Sequence, residues 1–424
     1  MTDAHATGLS RQQIKTLTLS ALGGALEFYD FVIFVFFATT MGALFFPSDM
    51  PEWLKLVQTF GIFAAGYLAR PLGGIVMAHF GDKAGRKRMF MLSILLMAIP
   101  TLVMGLLPTY AQVGVLAPIL LLLLRIMQGA AIGGEAPGAW VFVSEHVGER
   151  HRALACGALS AGLCTGILLG SLVARGINSV FDEATLLAWG WRLPFILGGL
   201  FGFVALVLRR QLHETPVFAE MKAQKALAAE MPLKTVLLAH GGAVVLAMLL
   251  TWLLTAAVVV VLLMMPTLLQ GMGVSRADSL AGNAIAITAT IIANLVAGWL
   301  ADRFGKGRIL VLWSLMLGVS FWWFYTQAQS GHYSQILYAL TGFAVGLTAL
   351  VPAIAVSGFP AAVRFSGLSF AYNVAYAIAG GLTPILLSLA LKDNADAPIH
   401  YMVGMSLLGV ALGWFAASGR TRGA

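Results

Sequence analysis

Five charged residues sit inside long apolar runs of this chain, where a charge is costly and marks a functional candidate by default. They are Glu27 and Asp30 in the first run, Arg70 in the second, and Arg125 and Glu135 in the fourth. Glu27 and Asp30 are three positions apart, so they share one helix face. Glu27 lies 12 residues past Lys15, roughly 18 Å along a helix, which places both carboxylates near mid-membrane. Arg125 lies about 12 residues into a run that crosses the opposite way, and reaches a similar depth. A guanidinium keeps its proton and needs an anion or water beside it. A carboxylate in a partly dry cavity can take up a proton, and its proton affinity changes when water, protein or solute moves past. That chemistry couples proton binding to a conformational cycle. The alternative is a static buried ion pair that only fixes packing.

Other polar residues are placed around these five. Arg70 precedes Pro71, and snorkelling to the interface can account for it. Glu135 lies ten residues past Arg125, roughly 15 Å further toward the cytoplasm, and reads as a gate or cavity residue. His79 reads as a neutral interfacial histidine. The second half has no charge at comparable depth, only Tyr372, Asn373 and Tyr376 in the eleventh run and Asn283 and Asn294 in the eighth. Tyr372 and Tyr376 share a helix face. These groups either complete a polar cavity or hydrogen-bond between helices. Gly162, Gly166 and Gly170, and Gly129 with Gly133 and Gly134 with Gly138, form small-residue stripes that let helices approach and slide.

The elements that carry these residues follow from composition. Of 424 residues, 59% are apolar and 10% charged. Soluble domains carry roughly 25% charge, so a soluble enzyme is excluded, and so is a disordered chain. The mean hydropathy of +0.87 indicates a lipid environment. Lipid admits only helices or closed barrels. The runs here are long and unbroken, so an all-α integral membrane protein is expected. Twelve spans are expected at 16–46, 55–80, 89–107, 113–144, 153–178, 190–208, 236–269, 279–301, 309–329, 333–357, 367–391 and 399–418.

Orientation follows from the basic residues. With the N-terminus inside, 19 of the 26 Lys and Arg fall on cytoplasmic segments and 5 on the other face. That bias places both termini in the cytoplasm. The polar stretch 209–235 divides six spans from six. The expected organisation is a tail at 1–15, a bundle at 16–208, a partly helical cytoplasmic linker at 209–235, a second bundle at 236–418 and a tail at 419–424.

The halves also repeat. Gly81-Asp82-Lys83-Ala84-Gly85-Arg86-Lys87-Arg88 joins spans 2 and 3, and Ala301-Asp302-Arg303-Phe304-Gly305-Lys306-Gly307-Arg308 joins spans 8 and 9. Such repeats in a helical membrane protein point to transport with a site between the halves. No Walker A sequence, zinc spacing or nucleophile elbow is present. Cys156 and Cys164 lie eight apart in one run, roughly 12 Å along a helix, too far to bridge. The net charge of +8 fits basic loops at an anionic leaflet rather than nucleic acid.

Gly81 to Arg88 resembles the signature loop of the major facilitator superfamily, and 301–308 resembles its weaker repeat. Arg125-Ile126-Met127-Gln128-Gly129 is similar to that superfamily's R-x-x-Q-G motif. Further segments resemble its metabolite:proton symporter subfamily, which includes carriers for citrate, 2-oxoglutarate, shikimate, and proline or betaine. These are Glu27-Phe28-Tyr29-Asp30-Phe31, Arg70-Pro71-Leu72-Gly73, Gly133-Gly134-Glu135, Glu214-Thr215-Pro216-Val217-Phe218, and Arg364-Phe365-Ser366-Gly367 followed by Tyr372-Asn373 and Gly380-Gly381-x-x-Pro384. The chain departs from the subfamily at Phe28, where Trp is common, and at Ala136-Pro137-Gly138, where Trp-Gly-Gly is common. It also lacks an acidic residue before Phe359-Pro360.

The resemblance implies twelve transmembrane helices in two six-helix bundles, related by a pseudo-two-fold axis and rocking about a central site. It makes Asp30, Glu27, Arg125 and Glu135 candidates for proton coupling. Candidates for solute contact are Arg125, Tyr29, Gln128, Tyr372, Asn373 and Tyr376. Asp82 and Arg86 are implied to hold the cytoplasmic side shut, with Gly81, Gly85, Asp302 and Gly305 completing the gate. The expected function is import of a small organic acid or zwitterion with a proton across the cytoplasmic (inner) membrane, by a monomer without metal or cofactor. Its expected partners are that solute, the proton and membrane lipids, with no nucleic acid. A proton-driven exporter is the alternative, although the drug-antiporter pattern G-P-x-x-G-G is absent from span 5. A non-transporting sensor is a second alternative, and the short tails and linker offer it no output domain.

The topology is open to direct test. Single cysteines at Ala84 and Ala226 should react only from the cytoplasm, and one at Asp393 only from outside. External labelling at position 84 in sealed cells would overturn the orientation.

Overall fold

The computed structural model describes residues 9–84, 86–211, 215–223 and 232–418, all of them in helices or connecting turns, without a strand among them. The long helical segments are α1 (Arg11–Phe36), α2 (Glu52–Ala84), α3 (Arg86–Leu106), α4 (Leu116–Val147), α5 (Arg152–Val180), α6 (Arg192–Arg210), α7 (Gly241–Gly271), α8 (Arg276–Phe304), α9 (Lys306–Gln329), α10 (Gln335–Ser357), α11 (Arg364–Ala390) and α12 (Ala397–Ala417). Among the described residues ten helices are long and apolar enough to cross a membrane. An eleventh is the pair Glu183–Gly190 and Arg192–Leu208, bent by 44°. Met91–Leu106 is apolar but shorter.

Local sequence sets the helix ends. Ser10 opens α1 through a capping box: its Oγ accepts from the Gln13 amide at 3.2 Å, and the Ser10 amide donates to Gln13 Oε1 at 2.9 Å. Ser275 opens α8 by accepting from the Asp278 amide at 3.0 Å. Gly305 separates α8 from α9 at φ +97°, a conformation open to glycine and strained for other residues. The first expected span is broken. α1 stops at Phe36 and a short helix, Ala38–Phe45, follows Phe37. No Pro or Gly marks that break in the sequence. Between α6 and α7, Pro216–Ala223 and Pro232–Ala239 are short helices.

α7 carries four successive valines, Val258–Val261, ahead of Pro266. Branched side chains crowd a helical turn, and proline cannot donate to the preceding one. The segment Ala257–Met264 widens into a π-helix. Tyr338 Oη lies 2.8 Å from the carbonyl of Val261 and 2.6 Å from Asn283 Oδ1, so the loosened turn keeps a polar partner.

In the first half α1 packs on α5, α2 on α4 and α3 on α6; in the second, α7 packs on α11, α8 on α10 and α9 on α12. Each pair maps onto its counterpart six helices later. The contacts between halves, α5 on α8 and α2 on α11, exchange under the same rule. This is the arrangement of a duplicated bundle.

Lipid supplies little driving force for helix association, so close approach and hydrogen bonds must supply it. The glycine stripes serve packing inside the first bundle. Gly162 and Gly166 lie against the Ala21 and Ala25 backbone of α1, and Gly129 and Gly133 against the Gly66 and Arg70 backbone of α2. Gly138, the last glycine of the α4 stripe, instead meets the Phe365 ring of α11 in the other half. Between the halves other glycines allow contact. A Cβ on Gly298 of α8 would stand 2.6 Å from the Ala153 carbonyl of α5, and Gly157 of α5 meets the Asn294 carbonyl of α8.

Some polar bonds across the halves lie deep, such as Ser160 Oγ to the Thr348 carbonyl at 3.1 Å, and a further group lies at one end, where the basic loops are. Arg364 of α11 pairs with Glu145 of α4 at 3.0 Å. Asp302 accepts from the Ala153 and Leu154 amides, both at 2.9 Å, and so caps α5 from the other half. Arg152 donates to Ser357 Oγ at 3.1 Å. Among the described residues no hydrogen bond or ion pair joins the halves at the opposite end. The molecule is closed at its basic end.

Gly298→Val should prop that end apart, since overpacking costs about 1–3 kcal/mol. Cys156 is fully buried beside this contact. The variant should insert normally while Cys156 reacts with N-ethylmaleimide at least tenfold faster than in wild type. An unchanged rate would contradict the close-approach role.

Candidate functional site

Asp30 projects from α1 into the first bundle and is 1% exposed. Neither carboxylate oxygen has a hydrogen-bond partner. The small residues of α6 make room for it. A Cβ on Gly198 would lie 2.6 Å from Asp30 Oδ1 and 2.9 Å from Thr101 Cγ2, and one on Gly202 would lie 3.5 Å from Oδ2. Glu27, one turn earlier on α1, is also buried. Tyr29 faces α6, donates to the Pro194 carbonyl at 2.9 Å and packs edge-on against Phe201.

Arg125 is fully buried in α4. Its Nη1 donates to Gln128 Oε1 at 2.7 Å, and Gln128 Nε2 donates to Thr101 Oγ1 at 2.5 Å. Thr101 in turn donates to the Met97 carbonyl at 2.9 Å. The guanidinium carbon lies 4.7 Å from the ring centres of Phe31 and Phe34 and 5.1 Å from that of Phe63. Nε and Nη2 have no partner. No ion pair joins Arg125 to Asp30, so the static pair weighed from the sequence is not what the structure holds. Rings and an amide surround this cation instead.

Glu135, on the same helix, accepts from Ser93 Oγ of α3 at 2.5 Å and is 3% exposed. It lies inside the first bundle toward the basic end.

Arg70 corrects the snorkelling explanation, for it is 1% exposed and points inward. It donates from Nε to Asn373 Oδ1 at 3.3 Å. Its guanidinium carbon lies 4.2 Å from the Tyr376 ring centre, 5.3 Å from Tyr372 and 5.6 Å from Tyr67. Asn373 Nδ2 also donates to the Gly133 carbonyl at 2.5 Å. Tyr372 stands edge-on to Trp140 with ring centres 5.0 Å apart. Tyr372, Asn373 and Tyr376 are thus brought together, by contacts between the halves.

An aromatic series links the two arginines. Phe63 meets Tyr67 at 4.9 Å, Phe31 meets Tyr67 at 5.1 Å, and Tyr67 stacks on Tyr376 at 5.4 Å. Phe63, Tyr67 and Arg70 stand at i, i+4 and i+7 on α2, a single helix face. That spacing is the sequence signal that turns Tyr67 and Arg70 toward the same neighbours. The pairings of Thr101 with Gln128 and of Glu145 with Arg364 join different helices and leave no local pattern.

Of the expected gate, Asp302 and Gly305 stand where the halves close. Gly85 lies outside the described residues, as do the side chains around it, including Asp82 and Arg86. Gly81 is described only as helical backbone.

Two repeated helical bundles joined at one end, with bare buried cations at their middle, make a multi-pass membrane transporter. The chain belongs to the Major Facilitator Superfamily, whose family model matches residues 19–384. It is a transporter of the inner membrane, not an enzyme. It is 32% identical over 418 residues to the glycine betaine/proline/ectoine/pipecolic acid transporter OusA of Dickeya dadantii, covering 95% of this chain and 82% of that one. It is 30% identical over 416 residues to the proline/betaine transporter of Salmonella typhimurium, covering 94% and 82%. Among solved structures it resembles the proton:xylose symporter XylE bound to 6-bromo-6-deoxy-D-glucose. That match has a TM-score of 0.78 and 17% identity over 95% of this chain and 94% of that one. The inward open form of XylE from E. coli matches with a TM-score of 0.69 and 16% identity, covering 95% of each chain. These likenesses establish the fold.

Gln128 holds Arg125 to Thr101. Gln128→Leu should leave buried donors and acceptors unpaired, lowering stability in detergent by about 1–3 kcal/mol. Thermal unfolding by intrinsic fluorescence would register this, and an unchanged midpoint would contradict the bridging role.

Proposed function

We propose that the protein takes up a small carboxylate-bearing solute, an organic acid or a zwitterion, together with a proton. Proline and glycine betaine are the first candidates. The observation that carries this reading is Arg125: a buried guanidinium with two unpartnered nitrogens and no carboxylate within ion-pair distance. Such a group lacks an anion, and a solute carboxylate can supply one by a charge-assisted bond. The rings of Phe31, Phe63 and Tyr67 beside it suit a methylated ammonium. Relatives named for proline and betaine support this choice.

Asp30 is the proton carrier in this reading. No donor or cation stands at either oxygen, and an unpaired buried charge is strongly disfavoured. The pocket therefore accommodates the neutral acid. When α6 moves relative to α1, water can reach the carboxyl and the proton can leave. Glu27 and Glu135 lie along the same half toward the basic end and would pass it on.

The twelve helices form bundles at 16–208 and 236–418, tied by the 209–235 linker, with the basic end and both termini in the cytoplasm. Closure at that end leaves the outer end as the route by which a solute would reach the buried site. Release requires the Arg364–Glu145 pair and the Asp302 cap on α5 to part. Each such bond is worth about 0.5–3 kcal/mol net, within reach of solute and proton binding.

The test uses proteoliposomes with an inside-alkaline gradient, free of sodium and ATP, and labelled glycine betaine, proline and dicarboxylates. Arg125→Ala should lower affinity roughly 10–100-fold, and Arg125→Lys should rescue poorly. Asp30→Asn should keep solute exchange and lose uphill accumulation. Normal accumulation by well-folded Arg125→Ala, or a requirement for sodium, would defeat the proposal.

A further inference from the structure

Arg70 has no role in the uptake scheme above, yet it shares the features that mark Arg125. It is buried, three aromatic rings surround it, and its Nη2 has no partner. Among the described residues no ion pair reaches it. Its position is also defined. Gly66 of α2 lies level with Arg125, because a Cβ there would stand 3.1 Å from the Arg125 carbonyl. Arg70 is four residues further along α2, roughly 6 Å nearer the basic end.

The neighbours of Arg70 divide between the bundles. Tyr67 belongs to its own helix. Tyr372, Asn373 and Tyr376 all belong to α11. Ser369 of α11 also donates to the Gly74 carbonyl of α2 at 3.1 Å, so this whole strip of contact separates together. Parting the bundles at the basic end removes two rings and the hydrogen bond to Asn373 in one movement. What remains is a deep cation beside one ring, facing the new opening, and such a cation requires an anion.

We propose that Arg70 is a second anion station: it receives the solute's carboxylate from Arg125 when the basic end opens, and is covered by α11 when that end is closed. The proposal rests on the reading of the protein as a carrier of carboxylate-bearing solutes. The two arginines are one helical turn apart and bridged by Phe31, Phe63, Tyr67 and Tyr376. A zwitterion can exchange its carboxylate between them while its cationic end stays against rings. A purely structural Arg70 would instead act as a latch for the closed state. The two roles differ in sign. Removing a latch favours the form open at the basic end, which tightens apparent affinity there and weakens it at the other face. Removing a station weakens affinity at the basic face alone.

The experiment measures the KM for exchange of labelled glycine betaine from each face, in right-side-out and inside-out vesicles, for wild type, Arg70→Gln and Arg70→Lys. Arg70→Gln should raise KM at the basic face at least tenfold and leave the opposite face within twofold. Arg70→Lys keeps the charge and should raise it a fewfold at the same face. Should Arg70→Gln fail to insert, Arg70→Lys carries the test by the same one-sided criterion. Equal effects at both faces, no effect, or tighter binding at the basic face would overturn the station. Failure of the wild type to move glycine betaine or any other carboxylate would instead defeat the reading of the function beneath it.

Discussion

Two guanidinium groups lie at the centre of a lipid-embedded protein, and among the described residues neither forms an ion pair with a carboxylate. Much of the surrounding structure answers that constraint. A guanidinium cannot shed its charge, so each is held by what a mostly apolar interior can offer: ring faces and one side-chain amide, with the Phe31 carbonyl added at Arg125. Phe31, Phe34 and Phe63 surround Arg125. Tyr67, Tyr372 and Tyr376 surround Arg70. Packing large rings this densely needs backbones that come close, and glycines at 66, 74, 129 and 133 along α2 and α4 supply the approach. The glycine stripes and the charges are parts of one solution.

The two halves share a fold and divide the chemistry. The first half holds every deep charge; the second presents neutral groups, with Asn373 and the tyrosines of α11 turned toward the first. An uneven division suits a cycle in which one bundle senses charge and the other covers or uncovers it. The closing contacts are many and individually modest. Asp302 stands against the start of α5, Arg364 against Glu145, and Arg152 against Ser357. Net values of about 0.5–3 kcal/mol each leave the closed end stable without making it permanent.

The sequence made the class of protein legible because lipid imposes long apolar runs, and the repeated Asp-basic loops marked the duplication. Depth along a helix could also be counted, so Asp30 and Arg125 stood out. Direction around the helix was harder. Arg70 looked like a snorkelling side chain because its position near Pro71 fixed its depth but not its face. The i, i+4, i+7 stripe Phe63–Tyr67–Arg70 held that information. The glycine stripes named small contacts without naming the partner helix. The cap from Asp302 onto α5, and the Gln128 link from Arg125 to Thr101, join residues with no periodic relation and could come only from the tertiary arrangement. The break at Phe37 has no local marker at all.

The central claim is that a carboxylate-bearing solute and a proton cross together. The most direct measurement is a pH electrode in a weakly buffered suspension of proteoliposomes with no imposed gradient. Adding glycine betaine outside should make the medium more alkaline as solute and proton enter together. The signal should saturate with solute and vanish with a protonophore. Uptake of the solute with no pH change, or with acidification, would contradict the account.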